Sequence, residues 1–176
     1  MTPVFGITGW KNSGKTTLVS RIVEELTARG YRVSTVKHAH ETFDIDHPGT
    51  DSFKHRTAGA VEVALVSKKR WAIMHELRGD QEPSLLDVLK SMAPCDLVII
   101  EGYKREPHPK IECRRVDARD TKPLFVDDPS IVALASDQPQ NESDRPVFDL
   151  NAIEQIADFI EAFTGLSGDH VASRAS

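Results

Sequence analysis

The sequence predicts an α/β protein, a three-layer fold with a mostly parallel central sheet and helices on both faces. Three observations predict it. Residues 4–36 read as strand, Gly-rich turn, helix and strand, a βαβ unit whose right-handed crossover makes its two strands parallel. Leu97-Val98-Ile99-Ile100 is apolar at every position, as in a parallel strand covered on both faces. Ile153, Ile156, Ala157, Ile160 and Phe163 recur at helical spacing near the end, marking a helix that lays one apolar stripe on a core.

The elements follow in order. Val4-Phe5-Gly6-Ile7-Thr8 is a short strand. Residues 16–29 carry Leu18, Val19, Ile22, Val23 and Leu26 on one helical face, and Gly30 supplies a stop. Residues 32–36 form a second strand, rich in β-branched side chains. A polar stretch from Lys37 to Gly59, broken by Pro48-Gly49, reads as a functional loop with a short helix over 52–58. Residues 61–66 and 71–75 are strands joined by the charged turn Lys68-Lys69-Arg70. Ser84 with Asp87 three positions on is a capping pair opening another helix. Strands are expected at 111–116 and 131–135, and Asn151 with Glu154 is expected to cap the last helix. The organisation expected is one nucleotide-binding domain over residues 1–165 and a flexible tail over 166–176.

The bulk chemistry bounds the function. A chain of 176 residues can bury one real core. Its formal net charge of −5 argues against a protein that coats nucleic acid. Two cysteines, Cys95 and Cys113, form no CxxC pair and are expected to be packing residues in a reducing compartment. No apolar run approaches membrane-spanning length and no signal segment opens the chain. The expected setting is therefore the cytoplasm, with no membrane or nucleic-acid partner.

Gly9-Trp10-Lys11-Asn12-Ser13-Gly14-Lys15-Thr16 fits G-x-x-x-x-G-K-[ST] at every fixed position. The glycines let backbone N–H groups converge on phosphate oxygens, and the helix that follows presents its positive dipole end. Lys15 is expected to reach the β- and γ-phosphates, Thr16 to offer a hydroxyl to Mg²⁺, and Thr17 to extend the contact surface. The strand before and the helix after meet the context that the motif requires. The fold class is thereby narrowed to a P-loop NTPase-like one.

Such a loop needs an acid at the end of a neighbouring apolar strand. Glu101, directly after Ile100, is that candidate, for catalysis and for the Mg²⁺ site together with Thr16. Lys37 and His38, at the end of the second strand, are placed to touch bound anions. His38, His40, His47 and His55 admit a transition-metal reading, although their spacing matches no tight zinc pattern. Trp10 either covers the nucleotide or packs on the sheet edge.

Beyond the P-loop, the chain carries Val36-Lys37-His38, Asp46-His47-Pro48-Gly49-Thr50-Asp51-Ser52, Ala58-Gly59-Ala60, Glu101-Gly102-Tyr103-Lys104 and Pro109-Lys110-Ile111-Glu112. In this order the segments resemble the MobB family, the molybdopterin-guanine dinucleotide biosynthesis protein B family, from residue 4 to about 137. The resemblance implies a GTP-binding adapter and homodimer that works beside the enzyme attaching GMP to molybdopterin, with at most weak GTPase activity. It implies that Gly9 through Thr16 hold the phosphates, Glu101 serves Mg²⁺, and Asp51 and Lys37 line the active region. Molybdopterin-type anions are expected near Lys37, His38, Lys104 and Arg105.

Base choice is less marked. Guanine-specific P-loop proteins often use N-K-x-D after a late strand, and here Ala135-Ser136-Asp137 stands in that place without the Asn and Lys. Asp137 is either a guanine-reading carboxylate or a turn residue. Two other functions compete. A small-molecule kinase would use the stretch from Lys104-Arg105 to Arg119, which includes Arg114 and Arg115, as a lid, and a metal-delivery GTPase would use the histidine loop.

Overall fold

The computed structural model describes residues 2–39, 43–141 and 143–166. They fall into two compact units, Met1–Ala39 with Pro94–Ser176, and His40–Ala93. The first unit is built on β1 (Val4–Thr8), α1 (Lys15–Ala28), β2 (Val33–Lys37), β5 (Leu97–Glu101), β6 (Lys110–Arg114), β7 (Ile131–Ser136), β8 (Val147–Asp149) and α4 (Ile153–Thr164). The second holds α2 (Asp51–Thr57), β3 (Glu62–Val66), β4 (Trp71–His75) and α3 (Leu85–Ser91).

Six strands form one sheet in the order β2-β5-β1-β6-β7-β8. Every neighbouring pair in it is parallel. The apolar strand β5 is buried along its whole length between β1 and β2, which is why it shows no polar alternation. Helices α1 and α4 pack together over Phe5, Ile7, Leu97 and Ile99, contributing Leu18, Ile22, Leu26, Ile156 and Ile160. Arg29 ties the two helices, with Glu25, Asp158 and Glu161 at 2.8, 2.6 and 3.1 Å. Leu134, on the alternate side of β7 from Ala133 and Ala135, joins Phe125 and Ile131 in a smaller cluster.

Several expectations shift. Strand β6 begins at Lys110 and ends at Arg114, so Arg115 and Val116 lie beyond it. Strand β8, three residues long, was too short to carry a period-2 signal. Asn151 does not cap the last helix: Ala152 holds that position without a side-chain cap, and Asn151 Oδ1 accepts from Arg21 Nη1 at 2.9 Å. Phe163 stays half exposed, although its ring meets Phe5 edge-on at 5.8 Å. Within the segment expected as a tail, Leu166 packs on the core and its N–H donates to Glu161 O at 3.0 Å. Residues 167–176 lie outside the described residues.

In the second unit, Ser84 caps α3 by accepting from Asp87 N at 3.2 Å. Thr50 caps α2 by accepting from Phe53 N at 3.3 Å. Asp46, buried, receives Arg56 Nη2 at 2.6 Å, and the same guanidinium reaches Asp44 at 2.8 Å and Glu76 at 3.2 Å. Much of the Asp46 to Ser52 motif therefore builds this unit's own framework.

The turn after β5 contains a buried histidine with a stability consequence. Neither ring nitrogen of His108 has a hydrogen-bond partner among the described residues, and a Cβ at Gly6 would stand 2.5 Å from Nε2. Burial, helped by the nearby Lys110 ammonium, pushes its pKa down from 6.5 to about 4. The neutral ring is the folded form, so the unfolded chain takes up the proton first as pH falls. Stability is unaffected above about pH 6.5 and declines between about 6.5 and 4, by up to ~3 kcal/mol if the ring stays neutral throughout. His108→Gln should flatten that part of the stability–pH curve in urea melts. An unchanged slope would show that His108 does not cause it.

Candidate nucleotide site

The loop between β1 and α1 takes a conformation that its residue types permit. Gly9 and Gly14 have φ of 145° and 89°, and Asn12 adopts φ 67°. A Cβ at Gly9 would lie 2.4 Å from Cys113 O and 2.6 Å from Ser13 Oγ, so only glycine fits between the loop and β6. Ser13 N donates back to Trp10 O at 3.2 Å, and α1 starts at Lys15 with Gly14 as its N-terminal boundary. No side chain caps this helix end, and an uncapped helix N-terminus offers its first N–H groups to an anion.

Around the loop, charged groups of β2 and β5 converge. Lys37 and Glu101 are register partners across β2 and β5, and Ile7 of β1 pairs with Glu101 on the other side. Thr16 Oγ1 donates to Glu101 Oε1 at 2.8 Å, and Lys37 Nζ stands 3.3 Å from the same oxygen. Lys15 Nζ donates to Trp10 O at 2.7 Å. Its pKa is held below the usual lysine value, chiefly by burial and further by the cations Lys104 and Lys37. An electropositive, partly desolvated mouth with one carboxylate suits a polyphosphate.

The donor set fits Mg²⁺. A hydroxyl and a carboxylate within hydrogen-bond distance are hard oxygen donors, and Mg²⁺ takes few protein ligands beside water and phosphate. Among the described residues no three His, Cys, Asp or Glu side chains cluster as a metal cage. His40 of the histidine-rich loop lies outside the described residues.

On the other side, residues 115–124 are tied to the loop. Trp10 Nε1 donates to Lys122 O at 2.7 Å and Arg119 N to Lys11 O at 3.1 Å. Trp10 also carries Lys104 Nζ over its ring at 4.0 Å. Glu112, fully buried on β6, shapes this segment by accepting from Leu124 N, Phe125 N and Arg114 Nη1 at 3.1, 2.9 and 2.9 Å. A carboxylate between Ile111 and Cys113, in the middle of a strand, was its signal in the sequence. Arg114 is spent on Glu112 and on Thr121 O, which removes it from the lid that a kinase reading would need.

The remaining expected residues are dispersed. His38 stacks at 4.6 Å on Tyr103, and its N–H donates to Glu101 O at 3.0 Å. Arg105 is exposed on the turn after β5, whereas Lys110, the first residue of β6, is fully buried against Glu106 O, Asp128 and Ser130. Lys110 is thus a structural cation, not part of an anion-accepting crevice. Thr17 and Asp137 line one small cleft beside Gly14. Cys113 is buried, donates to Ser13 O at 2.8 Å, and has a thiol pKa pushed up to about 11 by burial. Asp51 begins α2 in the second unit, exposed, with Lys54 at 3.1 Å.

Comparison with known proteins gives the arrangement a family. The family model for molybdopterin guanine dinucleotide synthesis protein B, MobB, matches residues 4–137. The chain belongs to the MobB family. It is 44% identical to the molybdopterin-guanine dinucleotide biosynthesis adapter protein of Haemophilus influenzae, over 90% of this chain and 88% of that one. It is 37% identical to the Escherichia coli protein of the same name, over 91% and 92%. A crystal structure of molybdopterin-guanine biosynthesis protein B superposes with a TM-score of 0.72 at 27% identity, covering 91% of this chain and 99% of that chain. A Bacillus stearothermophilus MobB homolog superposes with 0.68 at 27%, covering 93% and 99%. The parallel α/β sheet is thus the MobB fold, and the matched span includes the phosphate loop, Lys37, Glu101 and Asp137.

Proposed function

We propose that this MobB-family chain is a GTP-binding adapter of molybdopterin-guanine dinucleotide biosynthesis. In this reading it acts as a homodimer in the cytoplasm, beside the enzyme that attaches GMP to molybdopterin, and has weak Mg²⁺-dependent GTPase activity. The observation that carries the nucleotide reading is the convergence of Thr16 Oγ1 and Lys37 Nζ on one oxygen of Glu101 at the mouth of the phosphate loop. The names of the relatives support the pathway. Residues 9–17 hold the phosphates, Lys15 at their β–γ end, and Thr16 and Glu101 hold Mg²⁺, which supplies charge neutralisation there. Lys37, His38, Lys104 and Arg105 accept the pterin's anionic groups. Asp51 enters through the family motif alone.

The dimer is supported by the antiparallel β3–β4 ribbon, which leaves Val66, Trp71 and Ile73 exposed at 81, 68 and 52%. An apolar two-stranded ribbon with open edges invites pairing with a second copy. Light scattering should give twice the chain mass. Added to a guanylyltransferase with GTP and molybdopterin, the protein should raise the yield of the dinucleotide. A monomer that leaves guanylylation unchanged, and phosphorylates a small acceptor from ATP, would overturn the adapter reading in favour of a kinase.

A further inference from the structure

The nucleotide reading above leaves open what holds the base. With its β–γ end at Lys15, Thr16 and Glu101, a nucleotide must lead its ribose and base away from β5 and β2, toward the carboxyl ends of β6, β7 and β8. A cleft of about 90 Å³ lies on that side, lined by Gly14, Thr17, Arg21, Arg115, Asp137 and Asn151 among others. Three of these residues stand just past three different strands: Arg115 follows β6, Asp137 follows β7, and Asn151 lies two residues beyond β8.

Each offers a distinct group. The Arg115 side chain crosses Gly14, where its Cδ would be 3.1 Å from an added Cβ, and its Nε is 3.9 Å from Asp137 Oδ2. Asp137 is held by Val116 N, which donates to its two oxygens at 3.1 and 3.4 Å. Each carboxylate oxygen keeps a further lone pair for a ligand. Asn151 is held by Arg21, whose Nη1 donates to Oδ1 at 2.9 Å and whose Nη2 reaches the main-chain oxygen at 3.5 Å. With that oxygen engaged, the group Asn151 has to offer is its amide NH₂.

A planar cation, an acceptor carboxylate and a donor amide match one purine edge. Guanine presents N1–H and the 2-amine as donors and O6 as acceptor. Adenine would set its N1 lone pair against the carboxylate and its amine against the amide. We infer that this cleft is a guanine subsite: Asp137 accepts from N1–H and the 2-amine, Asn151 donates to O6, and Arg115 stacks on the ring. The inference deepens the GTP reading and rests on it. The functions of a contiguous N-K-x-D segment are here divided among three strand ends. Arg21 is a positioning residue, acting through Asn151, and stacking on a guanidinium plane suits Arg115 where lysine would not serve.

Competition binding with Mg²⁺ tests this, using GTP, ITP, XTP, ATP and inorganic tripolyphosphate on the full chain. Wild type should rank GTP above ITP and ATP. Asn151→Ala should weaken GTP and ITP, which share O6, roughly ten-fold and leave ATP unchanged. Arg21→Met should weaken the same two nucleotides, and Arg21→Lys should restore them. Arg115→Ala should weaken all four purine nucleotides and spare tripolyphosphate. Asp137→Asn should favour XTP over GTP, because xanthine carries an acceptor where guanine carries the 2-amine. Equal binding of GTP, ITP and ATP by wild type, or indifference of GTP to Asn151→Ala, would overturn the subsite. An Arg115→Ala loss equal for GTP and tripolyphosphate would make Arg115 a phosphate contact and overturn its role. Failure of tripolyphosphate to bind wild type would instead refute the phosphate-loop reading beneath it.

Discussion

Replacing Lys15 by alanine is expected to weaken GTP binding roughly ten- to a hundred-fold, as loss of charge-assisted hydrogen bonds worth ~1.5–3 kcal/mol. The ammonium sits at the first residue of α1, half-buried, and donates to Trp10 O at 2.7 Å within its own loop. A phosphate would compete for that donor with two charged oxygens rather than one neutral carbonyl. Folding should be nearly unaffected. Lys15 is only partly buried, and its removal gives up attraction to Glu101 while relieving repulsion with Lys104 and Lys37. Calorimetry with a melting control separates the outcomes. Unchanged GTP affinity in a folded variant would mean that the loop does not hold the triphosphate.

The second large effect concerns the Mg²⁺ ligands. Thr16→Ala and Glu101→Gln should each reduce the benefit that Mg²⁺ brings to GTP binding, by about 1–2 kcal/mol. Thr16 Oγ1 and Glu101 Oε1 are 2.8 Å apart, so in the proposed site both would act on one ion. The double variant should therefore lose less than the sum, by at least ~0.5 kcal/mol. Glu101→Gln also releases Lys37, whose ammonium now leans on Oε1 at 3.3 Å. Some gain in Mg²⁺-free binding is expected from that freed cation. A strictly additive pair would place Glu101 outside the metal site.

How far the sequence was legible depends on how local the determining chemistry is. Helices α1 and α4 and strand β5 were readable because long periodic or wholly apolar runs report one-sided or two-sided burial directly. The phosphate loop was readable because its glycines and its Lys-Thr pair act within eight consecutive residues. Strand β8 escaped notice, since Val147-Phe148-Asp149 needs β7 beside it to be a strand at all. Asn151 looked like a cap because Asn and Glu stood at the right spacing. Its partner Arg21, 130 positions away, cannot be seen from the local pattern. The sequence marks Lys110 only as part of the Pro109-Lys110-Ile111-Glu112 segment, and only the fold turns it inward to Asp128 and Ser130. The cleft of Arg115, Asp137 and Asn151 is likewise a product of parallel strands ending side by side. Residue types predicted one member; topology supplies the others.

If this MobB-family chain binds GTP with Mg²⁺ on residues 9–17, base preference and metal response must appear in the same titration. Calorimetric titration of the wild-type protein with GTP and with ATP, each with and without Mg²⁺, tests it most directly. One GTP per chain, tighter binding with Mg²⁺ than without, and a clear preference for GTP over ATP are the expected results. ATP binding as tight as GTP, or no response of either nucleotide to Mg²⁺, would contradict it.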